Sequence, residues 1–146
     1  MKKRFLLLMV LPLGLTFCGS GGQQVASGVQ QAVVTSFQAY VASQVALAAD
    51  NFSAAATALA ELARESTGDL KVLAEEAAQA EDIESMRTAF IPLSEEVAKL
   101  DLPEGYVVAF CPMANNSQGA NWVQEDGAIK NPYFGSVMLD CGAIVR

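Results

Sequence analysis

Two clusters of soft donors lie in the last third of this 146-residue chain, Cys111-Pro112-Met113 and Met138-Leu139-Asp140-Cys141-Gly142. Between them stand Trp122 and the turn-forming run Asn131-Pro132-Tyr133-Phe134-Gly135. The chain holds no histidine, so thiols and thioethers are its strongest candidates for chemistry. Polarizable sulfur donors select Cu(I) or Ag(I) over hard cations. Cys111 and Cys141 as thiolates, with Met113 and Met138 as thioethers, would form a closed four-donor site for such an ion. A Cys-x-Met spacing on an extended segment puts both side chains on one face, because side chains alternate. Met138 and Cys141, three apart, share a face only where the backbone turns. Trp122, Tyr133 and Phe134 would then shield the ion from water.

The same two thiols support a second reading. In an exported protein whose Cys18 is spent elsewhere, one remaining pair of cysteines forms a disulfide as a matter of course. A Cys111–Cys141 bridge would close a loop of about thirty residues and contribute roughly 3 to 4 kcal/mol in the chain-entropy model. A pair that binds metal only when reduced is a third. All three remain open at this point. Met113 and Met138 also suit core filling, Trp122 suits packing over a bundle end, and Asn131 before Pro132 suits a turn.

Other chemistries find less support. Without a histidine base or a Gly-x-Ser-x-Gly elbow, no serine or cysteine nucleophile has an activating partner, so no catalytic residues and no enzyme activity are expected. The pairs Glu75-Glu76 and Glu95-Glu96, and the cluster Glu81, Asp82 and Glu84, fall on outer helix faces and read as solvated surface. A net charge of −7 disfavours nucleic acid.

The elements that must position the sulfurs are mostly helical. Val29, Val33, Phe37, Tyr40, Val41, Leu47 and Ala48 recur at spacings of three and four, the period of one buried helical face. Asn51 or Ser53 caps a second helix, with an inner stripe of Phe52, Ala55, Leu59, Leu62 and Ala63. Ser66-Thr67-Gly68-Asp69 ends it. A third segment turns Leu70, Leu73, Ala74, Ala77 and Ala80 inward and is expected to run on into a fourth. There Ile83, Met86, Phe90, Leu93, Val97 and Leu100 form the most regular seam, with a kink or restart at Pro92. Short connections between such helices predict a mainly α fold, an up-and-down bundle of three to four helices over residues 29–101. Residues 102–146 form a short loop and β-hairpin-like tail packed on it. Its extended pieces are expected at residues 106–110, at Trp122-Val123 and at residues 137–139, with a loop over 115–121.

The first seventeen residues read as a signal peptide. Lys2, Lys3 and Arg4 precede thirteen mostly apolar residues, too few to span a bilayer. Leu15-Thr16-Phe17-Cys18-Gly19-Ser20 resembles the lipobox of bacterial lipoproteins, with Phe17 standing where a small residue is usual. That resemblance implies lipidation of Cys18, a flexible spacer over residues 18–28, and a lipid-anchored domain in the cell envelope. The domain would face the periplasm, with the outer membrane favoured over the inner.

The tail motifs Cys111-Pro112-Met113-Ala114, Gly119-Ala120-Asn121-Trp122, Ile129-Lys130-Asn131-Pro132-Tyr133-Phe134-Gly135 and Met138-Leu139-Asp140-Cys141-Gly142 together resemble the DUF3347 family. Met86-Arg87-Thr88-Ala89-Phe90 with Leu93-Ser94 extends the likeness into the helices. That family occurs alone or fused to periplasmic adaptor subunits of copper and silver efflux systems. The resemblance implies a metal-handling role, with a heavy-metal efflux complex or a metallochaperone as partner. This chain has no room for the adaptor's other segments and would be a stand-alone version.

Overall fold

The computed structural model describes residues 21–146, with side chains from residue 35 onward. The expected signal peptide and Cys18 lie outside the described residues. Four long helices, α1 (Gly21–Ala48), α2 (Phe52–Glu65), α3 (Gly68–Ala78) and α4 (Ile83–Val97), precede a small antiparallel sheet. The sheet comprises β1 (Tyr106–Cys111), β2 (Ala120–Glu125) and β3 (Ala143–Ile144), in the order β2-β1-β3. Residues 21–28, expected in the spacer, belong to α1. Among the described residues no helix is long and apolar enough to cross a membrane.

Local sequence explains the helix boundaries. Asn51 caps α2 by accepting from the Ala54 amide at 3.0 Å. The third and fourth helices are separate, contrary to the expected run-through, because Asp82 forms a capping box with Ser85 and starts α4 afresh. That contact also holds the Asp82 carboxyl below its ordinary range. Pro92 does not restart the helix. It sits on the exposed side of a continuous α4, where the carbonyl that loses its amide partner can face water.

Each helix packs on the next, and small residues permit the approach. Ala55, Ala58, Ala63, Ala74 and Ala77 are all buried between α2 and its neighbours or on α3. Met86, Phe90, Leu93 and Val97 turn inward from α4 as their spacing predicts, whereas Leu100 lies past the helix end and is exposed. Between α1 and α4 the helices do not close on each other along their length. Strand β2 packs against both of them.

That insertion creates a problem which three side chains solve. A strand's outer edge carries unpaired amides and carbonyls, and β2 is an edge strand. The Val123 amide donates to Tyr40 Oη of α1 at 3.0 Å, and the Asn121 amide donates to Glu95 Oε1 of α4 at 2.8 Å. The Asn121 carbonyl accepts from Tyr133 Oη. Glu95 is therefore a strand cap, not the solvated surface residue its position on α4 predicted. Tyr40 Oη also meets Ser94 Oγ at 3.0 Å, and its ring stacks on Phe90 with centroids 5.3 Å apart. Burial pushes the Tyr40 hydroxyl up to about 12, so it stays a neutral donor and acceptor. Tyr40→Phe keeps the ring and strands the Val123 amide. It should cost about 1 to 3 kcal/mol, read as a lower denaturation midpoint with an unchanged denaturant slope.

Two of the tail's expected elements shift. The third strand is Ala143–Ile144, pairing Ala143 with Phe110 and Ile144 with Ala109. Residues 137–139, expected to be extended, instead complete a 3-10 turn at Gly135–Val137 and continue through a bend at Met138 into a further turn. The expected loop after Cys111 contains a single turn, Ala114–Ser117, in which Asn115, Asn116 and Ser117 take positive φ values of 52°, 54° and 64°.

Candidate functional site

The two thiols meet. Strand β1 delivers Cys111, fully buried, at its last position, and the β1–β3 register sets Phe110 opposite Ala143, two residues beyond Cys141. Cys111 Sγ and Cys141 Sγ lie 2.6 Å apart. Two thiolates on one tetrahedral metal at about 2.3 Å per bond would sit roughly 3.8 Å apart. The observed separation is closer to a cystine, which needs about 2.05 Å.

Cys141 is held in place by its own turn. Its amide donates to the Met138 carbonyl at 3.1 Å, so the backbone does turn between these residues, the condition for their sharing a face. Asn131, fully buried, then fastens the turn from the other side. Its Nδ2 donates to the Cys141 carbonyl at 2.7 Å, and its amide donates to the Leu139 carbonyl at 2.8 Å. Its Oδ1 accepts from the amides of Tyr133 at 2.8 Å and Phe134 at 3.3 Å, the Asx turn expected of Asn before Pro.

Trp122 backs the pair. It is fully buried, donates from Nε1 to Gln124 Oε1 at 2.9 Å, and meets Tyr133 edge-on at 5.8 Å. Gly142, at φ 136°, lets the chain pass directly over the indole. A Cβ there would strike both Trp122 and the Phe110 backbone. Gln124 is buried yet fully satisfied, accepting also from the Lys130 amide and donating to the carbonyls of Ala128 and Glu125.

The thioethers behave differently from the thiols. Strand β1 ends at Cys111, and Met113 adopts helical backbone, φ −87° and ψ −17°. Side-chain alternation therefore does not carry past Cys111. Met113 is 52% exposed and lines a surface trough while Cys111 is fully buried, so the expected shared face of Cys-x-Met does not form. Met138 is half-buried at the turn that holds Cys141. Among the described residues no group of three or more His, Cys, Asp or Glu gathers as a metal-ligand cluster.

Electrostatics keep the reduced Cys141 thiol protonated. The hydrogen bond to Cys111 is the main cause that pushes the Cys141 thiol up to about 11, followed by desolvation and the charge Cys111 would carry. A protonated thiol is a poor nucleophile, which disfavours thiol–disulfide exchange as a task. Burial likewise raises the Tyr133 hydroxyl well above its ordinary range, so it remains a donor to Asn121.

A second polar knot, not foreseen in the sequence, ties the site to the bundle. Helix α1 ends with Asp50 in the left-handed region, φ 57°, where glycine is usual. The side chain that glycine would lack is used here. Asp50 Oδ1 accepts from Arg87 at 2.5 Å, and Oδ2 accepts from the Ser136 amide at 3.1 Å. Arg87 also donates to the carbonyls of Leu47 and Pro132, each at 2.9 Å, so one guanidinium bridges α1, α4 and the tail. Gly135, at φ 54°, leaves the space this knot occupies, since a Cβ there would fall on both Asp50 and Arg87.

Hydrogen bonds from Ser136, then the Arg87 contact, lower the Asp50 carboxyl from 3.8 to about 2. Because the folded value lies below the unfolded one, the knot's contribution is complete above pH 4 and is lost as pH falls through about 2. The gap in thermal midpoint between the parent chain and Asp50→Asn should hold from pH 7 to 5. It should close between pH 4 and 2.

No family model, curated protein or solved structure matches this chain. The likeness to the DUF3347 family therefore rests on the sequence motifs of the tail and of Met86–Ser94 alone.

Proposed function

We propose that this chain is an exported, lipid-anchored module of the cell envelope whose tail is closed by a Cys111–Cys141 disulfide and which works through its surface. The observation that carries the reading is the approach of the two sulfurs to 2.6 Å on supports that leave little slack. Strand β1 holds one side, and Asn131 holds the other. The basic, apolar N-terminus ending at Cys18 supports export and anchoring.

A soft-metal role for the reduced pair is the second reading. It is favoured by the convergence itself, which gathers two thiols from positions thirty apart, with Met138 on the adjoining turn. Accepting Cu(I) or Ag(I) would require the sulfurs to open by about 1 Å. Met113 would have to leave the surface to join them. Sequestration of copper, or its delivery to an efflux complex, would be the task in that case.

Competition for Cu(I) against a chromogenic chelator separates the two. The chain purified without reductant should hold Cu(I) no more tightly than a Cys111→Ser/Cys141→Ser variant. One ion retained per chain without reductant, and lost in that variant, would transfer the function to metal.

A further inference from the structure

A trough runs along the exposed side of α4, between α3 and the tail. It consists of two cavities of about 670 and 480 Å³ that share Thr88, Ile91 and Asn115 and so form one continuous depression. Its apolar lining includes Val72, Met113 and Val137, which are 61%, 52% and 81% exposed. Exposed apolar residues scattered singly need no explanation, but three brought into one concave site mark a contact surface.

Charge specifies what would cover it. Asp69 lines one end of the trough and Glu84 the other. Among the described residues that line it, Arg87 alone is cationic, and its guanidinium is taken by Asp50, Leu47 and Pro132. Glu95 is likewise taken by Asn121, and Glu96 by Lys99. The pattern is an apolar floor with a carboxylate at each end.

The turn after Met113 adds polar groups beside that floor that suit extended backbone. Asn115 and Asn116 line the trough from the turn in which three successive residues are left-handed. Such conformations in non-glycine residues collect at binding sites. Each asparagine amide offers both donors and an acceptor, which an extended chain needs because its own amides and carbonyls are unpaired. From Glu84 to Glu96 helix α4 rises about 18 Å, the length of five or six extended residues.

We propose that the trough binds a short extended segment of a partner protein, apolar in its centre and carrying a lysine or arginine at each end. This names the partner class of the interaction module and rests on that reading. Thiol mapping and peptide binding fail separately, so the two remain distinguishable.

The test uses the full chain, labelled with nitrogen-15, and a blocked hexapeptide with lysine at both ends and alternating valine and leucine between. Saturable binding is expected, with amide shifts confined to the trough. Affinity should fall at least tenfold for the same peptide ended by glutamate, for Asp69→Lys/Glu84→Lys, and for Val72→Ser/Val137→Ser, each variant keeping the parent's circular dichroism. Absence of saturable binding overturns the proposal, as does binding that these substitutions leave unchanged. Self-association of the chain that both double variants abolish would also overturn it, by making a second copy the occupant.

Discussion

Replacing Cys111 and Cys141 together by serine should lower the stability of the oxidised chain by about 3 to 4 kcal/mol. The cross-link would span thirty positions, and closing a loop of that length removes this much conformational freedom from the unfolded state. For a domain of this size the loss corresponds to a fall in thermal midpoint on the order of 10 °C. Adding reductant to the parent chain should reproduce most of the fall and leave the serine variant unmoved. Equal midpoints for the parent with and without reductant would mean that the bridge does not form. Serine also keeps a hydroxyl near the buried Cys111 position, so Cys111→Ala/Cys141→Ala serves as the control for polarity.

Trp122→Ala should be at least as damaging, at about 3 to 5 kcal/mol. The indole is the largest fully buried side chain, it packs edge-on against Tyr133, and the chain at Gly142 crosses directly over it. Its removal opens a cavity beneath the cysteine turn and leaves Gln124 Oε1 with one partner fewer. Trp122→Phe fills most of that volume and should recover a large part of the loss. Chemical denaturation of both variants measures the difference. A Trp122→Ala midpoint within error of the parent would show that the sheet does not depend on this contact. As the chain's one tryptophan, it also gives a fluorescence reading of changes beside Cys141.

The helices were legible because burial repeats along them. Met86, Phe90, Leu93 and Val97 are inward-facing at the spacing that predicted them, and Asn51 caps where its side chain can reach a free amide. The break before α4 was harder to see, since apolar periodicity continues across it and only Asp82 with Ser85 marks the new start. Pro92 leaves α4 continuous because a proline on an exposed helix face costs less disruption than the same residue facing a neighbour.

The tail was legible in composition and not in arrangement. The β-formers before Cys111 became β1, but the third strand fell at Ala143–Ile144, a stretch too short to show alternation. Nothing periodic announces that Glu95 and Tyr40 pair with the edge of a strand far along the chain, or that Arg87 joins Leu47 to Pro132. Those are single polar residues whose partners are set by tertiary structure. For the site, the cysteine count points to the pair that meets, and Asn before Pro predicts the turn that Asn131 makes. The shared face of Cys111 and Met113 failed for a local reason: the strand stops at the cysteine.

The most direct measurement is the bonding state of the two sulfurs in chain exported to an oxidising compartment, alkylated before any reduction and digested with trypsin. Cleavage after Lys99 and Lys130 places Cys111 in residues 100–130 and Cys141 in residues 131–146. A single joined species that separates into these two peptides only on reduction is the predicted result. Recovery of both peptides unjoined, each alkylated at its cysteine, would contradict it.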